Sequence, residues 1–141
     1  MIATAIISPC GRYRYRLTRD WALSDCPALT WVMLNPSTAD ATQDDPTIRK
    51  CIGYAKRWGY GSIQVVNLFA LRATDPKELL RNPIDCVGPD NEDVLQSISG
   101  YAVAAWGGGI PRVVWADKIV RIVRDLARRS GDWCCLGRTK A

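Results

Sequence analysis

Three short, nearly uninterrupted apolar runs frame what this chain can fold into. They occupy residues 29–34, 63–67 and 101–105, and each stops abruptly: at Asn35-Pro36, at Asn67 itself, and at Trp106-Gly107. Runs of this length without polar alternation fit strands buried on both faces, the kind found in parallel sheets. Stretches with helix signals lie between them. Asp45-Pro46 opens a helix to about Trp58, where Gly59 and Gly61 end it; Asp75-Pro76 starts a short helix and Gly88-Pro89-Asp90-Asn91-Glu92 a longer one. A basic amphipathic helix is expected from about Pro111 to Arg129, and a last strand over 133–136. Such alternation predicts an α/β sheet whose right-handed crossovers put helices on both faces. Ligands of these sheets bind beyond the carboxyl ends of the strands. The residues that end the three runs are therefore the main functional signal.

The start of the chain differs. Residues 2–7 and the alternating segment 12–17 read as two strands joined by a Pro9-Cys10-Gly11 turn, with Tyr13 and Tyr15 on one face and three arginines on the other. No repeat or linker interrupts the 141 residues, which suits one domain over 1–141.

Composition excludes several function classes. The chain has no histidine, so Ser-His-Asp and Cys-His catalysis and histidine-containing zinc sites are ruled out within it. The six cysteines form no Cys-x-x-Cys pair, so no metal is implied, and reduced thiols in a cytoplasmic protein are the expected state. No run reaches the roughly 18–20 apolar residues of a membrane span, and the apolar start lacks the basic opening of a secretory signal. A net charge of +5 suits a nucleic-acid partner and equally serves solubility.

The candidates for chemistry follow from these positions. Asn35 is held extended by Pro36 and offers one acceptor and one amide donor group for a water molecule; the alternative is a plain turn in which Ser37 or Thr38 caps. The amide of Asn67 matches the neighbouring carbonyl and N–H of a pyrimidine-like ring, or braces backbone. Phe69 is a stacking candidate or core. Of the acidic cluster Asp40, Asp44 and Asp45, the last two read as helix caps, which leaves Asp40 as the preferred acid. The glycines after Trp106 let backbone approach a ligand closely. Arg112, Lys118 and Arg121 on the last helix face phosphates or solvent.

In Leu34-Asn-Pro-Ser-Thr-Ala-Asp40, Asp45-Pro-Thr-Ile-Arg49, Trp58-Gly59, the run from Asn67 to Pro76, Gly88-Pro-Asp-Asn91 and Trp106-Gly107, the chain resembles a bacterial and phage family labelled domain of unknown function 1643. Arg14-Tyr-Arg-Leu-Thr-Arg-Asp-Trp21 extends the resemblance over nearly the whole length. That family is in turn similar to the uracil-DNA glycosylases. The resemblance implies a three-layer α/β/α fold with a mostly parallel central sheet, here preceded by an antiparallel hairpin. It also implies that Asn35 positions an attacking water, Asn67 reads the base and Phe69 stacks, with Pro36, Ser37, Arg72, Trp106 and Gly107 around the ligand. Two departures accompany it. Leucine stands near Asn35 where those glycosylases carry glycine, and the chain stops at Ala141 without the His-Pro loop that wedges into DNA. Losing one donor to a developing anion typically costs on the order of 100-fold in rate. Two expectations result: a glycosylase-like nucleobase-recognition domain without cofactor, acting on DNA or a nucleotide, or a non-catalytic binding or decoy module using the same pocket.

Overall fold

A computed structural model of the chain describes residues 1–22, 25–81, 86–107, 117–129 and 133–135. Its elements are β1 (Ile2–Ile7), β2 (Arg14–Asp20), β3 (Ala28–Met33), α1 (Pro46–Arg57), β4 (Ser62–Asn67), a 3-10 helix (Pro76–Leu80), α2 (Asn91–Gln96), β5 (Ala102–Ala105), α3 (Asp117–Arg129) and β6 (Trp133–Cys134). The six strands form one sheet in the order β1-β2-β4-β3-β5-β6. β3 pairs in parallel with β4 and β5, and β5 with β6; β1 pairs antiparallel with β2, and β2 with β4. The expected mixed α/β sheet with its antiparallel hairpin is therefore present.

Strand alternation sorts the core into two layers. Leu29 and Trp31 of β3, Ile63 and Val65 of β4, and Val103 of β5 pack against Ile48, Cys51 and Ala55 of α1. Spacings of three and four put those helix residues on one stripe. Val32 and Val66 face the other way, toward Leu95 of α2 and Ile122 and Leu126 of α3. Helices thus cover both faces, as the apolar runs require. Asp45 caps α1 by accepting from the Ile48 N–H at 2.9 Å, and Pro46 occupies the first turn, where its missing N–H costs nothing.

Several expectations need correction. α2 begins only at Asn91 and, with six residues against five, barely exceeds the 3-10 helix; Ser97 closes it by donating from its hydroxyl to the Val94 carbonyl. β2 is broken by a register shift opposite Ile6 and Ile7, which defeats strict alternation. Tyr13 and Tyr15 do stack together, but the arginines separate: Arg12 is exposed, Arg14 is buried against residue 39, and Arg16 donates to Ser97. Asp44 is not a cap. It pairs with the buried guanidinium of Arg19 at 2.8 Å. The expected start of the last helix at Pro111 lies outside the described residues.

Candidate functional site

Met33 stands opposite Asn67 on one side and Ala105 on the other, so the three parallel strands end level. Pairing continues past them. The N–H of Leu68 donates to the Met33 carbonyl, that of Phe69 to the Leu34 carbonyl, and that of Ala73 to the Pro36 carbonyl, each at 2.9 Å. Across from these, Arg72 N–H donates to the Arg12 carbonyl and Arg14 N–H to the Ala70 carbonyl. The segment from 68 to 73 is thus laced to the turn after β3 on one side and to the approach to β2 on the other.

Asn35 leaves β3 with both amide hydrogens engaged. Its Nδ2 donates to the Ala73 carbonyl at 2.8 Å and to the Pro36 carbonyl at 3.1 Å. Two carbonyl partners fix the rotation of the amide, so Oδ1 turns away from them and is left to accept. No described residue donates to it. Pro36 is buried, and its carbonyl takes both the Asn35 amide and Ala73 N–H.

Asn67 differs in kind. It is only 1% exposed, and neither Nδ2 nor Oδ1 has a hydrogen-bond partner among the described residues. Alternation with Ile63 and Val65 places it on the α1 side of the sheet. A buried polar group without a partner costs about 1–3 kcal/mol, so two on one side chain call for an explanation. The backbone here is braced separately: Asn91, fully buried, donates from Nδ2 to the carbonyls of Asn67 at 2.9 Å and Leu68 at 3.1 Å. Gly88, with φ +87, brings that segment close, since a Cβ there would meet Ala70, Tyr13 and Tyr15 at 3.1 Å. By sequence the Gly88-Pro-Asp-Asn91 motif reads only as a helix start. Nothing in its spacing announces that Asn91 reaches back to β4.

Arginines and carboxylates mix in the surroundings. Arg14 is 2% exposed; its Nη1 donates to the Ala39 carbonyl at 2.7 Å, while Nε has no partner among the described residues. Burial pushes its pKa down to about 10, with nearby Arg72 and Arg19 adding to the fall and Asp45 opposing it. Asp40 is held below the ordinary carboxylate range by the N–H groups of Thr42 and Gln43 and the Thr42 hydroxyl, all donating to Oδ1. The view that Asp40 lacks structural employment is therefore corrected: it caps its own loop. An ionised carboxylate bound this way is a poor proton acceptor and a fixed negative charge.

An open cleft of about 730 Å³ lies beside the Asn35 turn, where Ser37, Thr38, Arg72 and Ala73 meet Arg12, Glu78 and Arg81. Of the expected site residues, Ser37 and Arg72 line it, and Asn35 touches its wall through Ala73. Thr38, within the Asn35-Pro-Ser-Thr turn, joins them, and Arg12 and Arg81 do so from outside the quoted motifs. Neither Ser37 nor Thr38 caps α1, which Asp45 does. Phe69 is fully buried among Val66, Leu68 and Leu79, with no free face for stacking. The ring of Trp106 packs toward Trp133 at 6.2 Å between centroids, and Gly107 is exposed. Arg121 lines a separate groove of about 370 Å³ in which arginines alternate with Glu92 and Asp125. Lys118 falls in the first turn of α3, and Arg112 lies outside the described residues. Among the described residues no three Cys, Asp or Glu side chains gather as a metal site, and no helix is long and apolar enough to cross a membrane.

A family model described as "Protein of unknown function (DUF1643)" matches residues 14–141, and the chain belongs to that family. No curated protein and no solved structure matches it.

Proposed function

We propose that this DUF1643 member is a nucleobase-recognising domain with a uracil-DNA-glycosylase-like architecture, acting on an extruded base of DNA or on a nucleotide. One observation carries the reading: the amide of Asn67 is buried at the end of β4 with donor and acceptor both unpartnered among the described residues. A pyrimidine-like edge, with a carbonyl beside an N–H, supplies both missing bonds at once. Because Asn67 is closed off, a base reaches it only after the side chains over it move aside.

In the hydrolytic form of the proposal, the free Oδ1 of Asn35 accepts a hydrogen bond from the attacking water. The water oxygen bonds to the sugar C1′ as the C1′–N bond breaks and its electron pair leaves on the base; the water's proton passes to solvent or the departing base. Asp40 supplies fixed negative charge toward a cationic sugar. Binding without hydrolysis, as in a regulatory or decoy module of phage or mobile-element type, is the second reading. It is favoured by the employment of Asp40 as a loop cap.

Incubation with uracil-containing and otherwise modified DNA, followed by cleavage at abasic sites, separates the two. Strand cleavage that disappears in Asn35→Ala supports hydrolysis. Base-dependent binding without cleavage supports the module, and absence of any base-dependent interaction defeats both.

A further inference from the structure

We propose that the cleft formed by Arg12, Ser37, Thr38, Arg72 and Arg81 is a phosphate-binding site. This deepens the nucleobase reading and rests on it only for the ligand's identity; the cleft itself is argued from its own residues.

Three guanidinium groups share this wall with a single carboxylate, Glu78, and none of the four takes part in an ion pair among the described residues. Like charges gathered on one concave surface repel, and a bound anion relieves that repulsion. The donors are present and weakly used. Arg72 reaches the carbonyls of Ser37 and Gly11 at 3.5 and 3.4 Å, near the long limit for such bonds. A phosphate oxygen offers it shorter, charge-assisted bonds. Arg12 lies over the Tyr13 ring, 5.5 Å from its centroid, which orients the guanidinium while its N–H groups stay available. The hydroxyls of Ser37 and Thr38 have no partner among the described residues and add two neutral donors. Behind this wall the buried Arg14 contributes further positive potential.

Size and place agree. About 730 Å³ is within the range of nucleotide-sized ligand sites. Ser37 and Thr38 directly follow Asn35-Pro36, so a phosphate held here stands next to the asparagine assigned to water. The shared chemistry is a phosphate group, carried by a free nucleotide or by a strand.

Calorimetric titration of the full chain at low salt, with inorganic phosphate, thymidine monophosphate and a short homothymidine oligonucleotide, tests this directly. Phosphate carries no base, so its binding is independent of Asn67. The triple variant Arg12→Gln, Arg72→Gln, Arg81→Gln is expected to lose at least about tenfold in affinity for each probe, and the salt slope for the oligonucleotide to fall by about one per arginine removed. The double variant Arg12→Gln, Arg81→Gln, with Arg72 retained, guards against misfolding, since both residues are exposed. Lys50→Gln removes an exposed charge on α1 and is expected to change affinity less than about twofold. Tighter binding of the oligonucleotide assigns the site to a strand, and tighter binding of the mononucleotide to a free nucleotide; both support it. No binding of any probe, full affinity in both arginine variants, or an equal loss in Lys50→Gln overturns it.

Discussion

The side-chain amide of Asn91 donates to the main-chain carbonyl of Asn67 at 2.9 Å, from a residue that is itself fully buried. With the Leu68 carbonyl as second acceptor, one side chain satisfies two backbone groups just where β4 ends. The backbone that carries Asn67 is therefore held by Asn91, while the Asn67 side chain is not used to hold anything among the described residues.

Removing that brace leaves two buried carbonyls without partners. Asn91→Ala is expected to cost about 1–3 kcal/mol. Asn91→Asp should cost more, because it sets a carboxylate against the same carbonyl oxygens. Denaturant unfolding of the two variants checks the order, and an aspartate variant as stable as wild type contradicts the assignment.

The reverse holds one step away. Replacing an unpartnered buried amide by an apolar group of similar shape is neutral or stabilising. Asn67→Leu is thus expected to melt at or above the wild-type temperature while losing any response to nucleobases, a trade typical of binding sites. A loss of more than about 2 kcal/mol would mean that the amide has structural work in the fold.

Arg19 is 1% exposed and donates to Asp44 and to the carbonyls of Thr18 and Asp40, so it ties the loop before α1 to β2. Asp44→Ala leaves that guanidinium buried without its counter-charge. The expected cost is on the order of 2 kcal/mol, below the range for fully buried pairs because Asp44 is 22% exposed. Asp45→Ala, at the true cap, is expected to cost about 1 kcal/mol by comparison. Thermal unfolding ranks the two, and the reverse order contradicts the division of labour between ion pair and cap.

The thiols should separate by reactivity. Burial pushes Cys51 up to about 12 from its ordinary 9.0, whereas hydrogen bonds from Ser8 and the turn backbone lower exposed Cys10. Native-state alkylation near pH 8 is expected to label Cys10 well before Cys51. The pH dependence has a definite sign. Cys51 stays protonated in the fold but ionises near 9 when unfolded, so unfolding releases a proton between about pH 9 and 12. Its contribution is complete below about 9 and declines as pH rises through that window. A Cys51→Ala variant should show a shallower alkaline loss of stability in pH-dependent melting; an unchanged slope contradicts the assignment.

The strand framework was legible because burial on both faces leaves a plain mark: residues 29–34, 63–67 and 101–105 each fall on a parallel strand within a residue. The caps at Asp45 and Asp75 were legible for a similar reason, since Asp-Pro pins a helix start locally. What escaped depends on contacts between distant segments. Asp40 and Asp44 are close in sequence, yet one closes its own loop and the other meets Arg19 from a separate strand. Arg14 has the pattern of a surface residue in an alternating hairpin, and the register shift in β2 turns it inward. Arg12 and Arg81 share a cleft only because the chain after β4 returns past β2. Phe69 sits in the right motif, but it lies in the core.

The most direct measurement follows the Asn67 side-chain amide itself. In isotope-labelled protein its two N–H resonances are identified by their loss in Asn67→Leu. On titration with uracil, thymidine and adenosine, they are expected to shift and sharpen with a pyrimidine and to saturate as one site. Resonances that ignore every base, while remaining protected from exchange, would contradict base recognition by this residue.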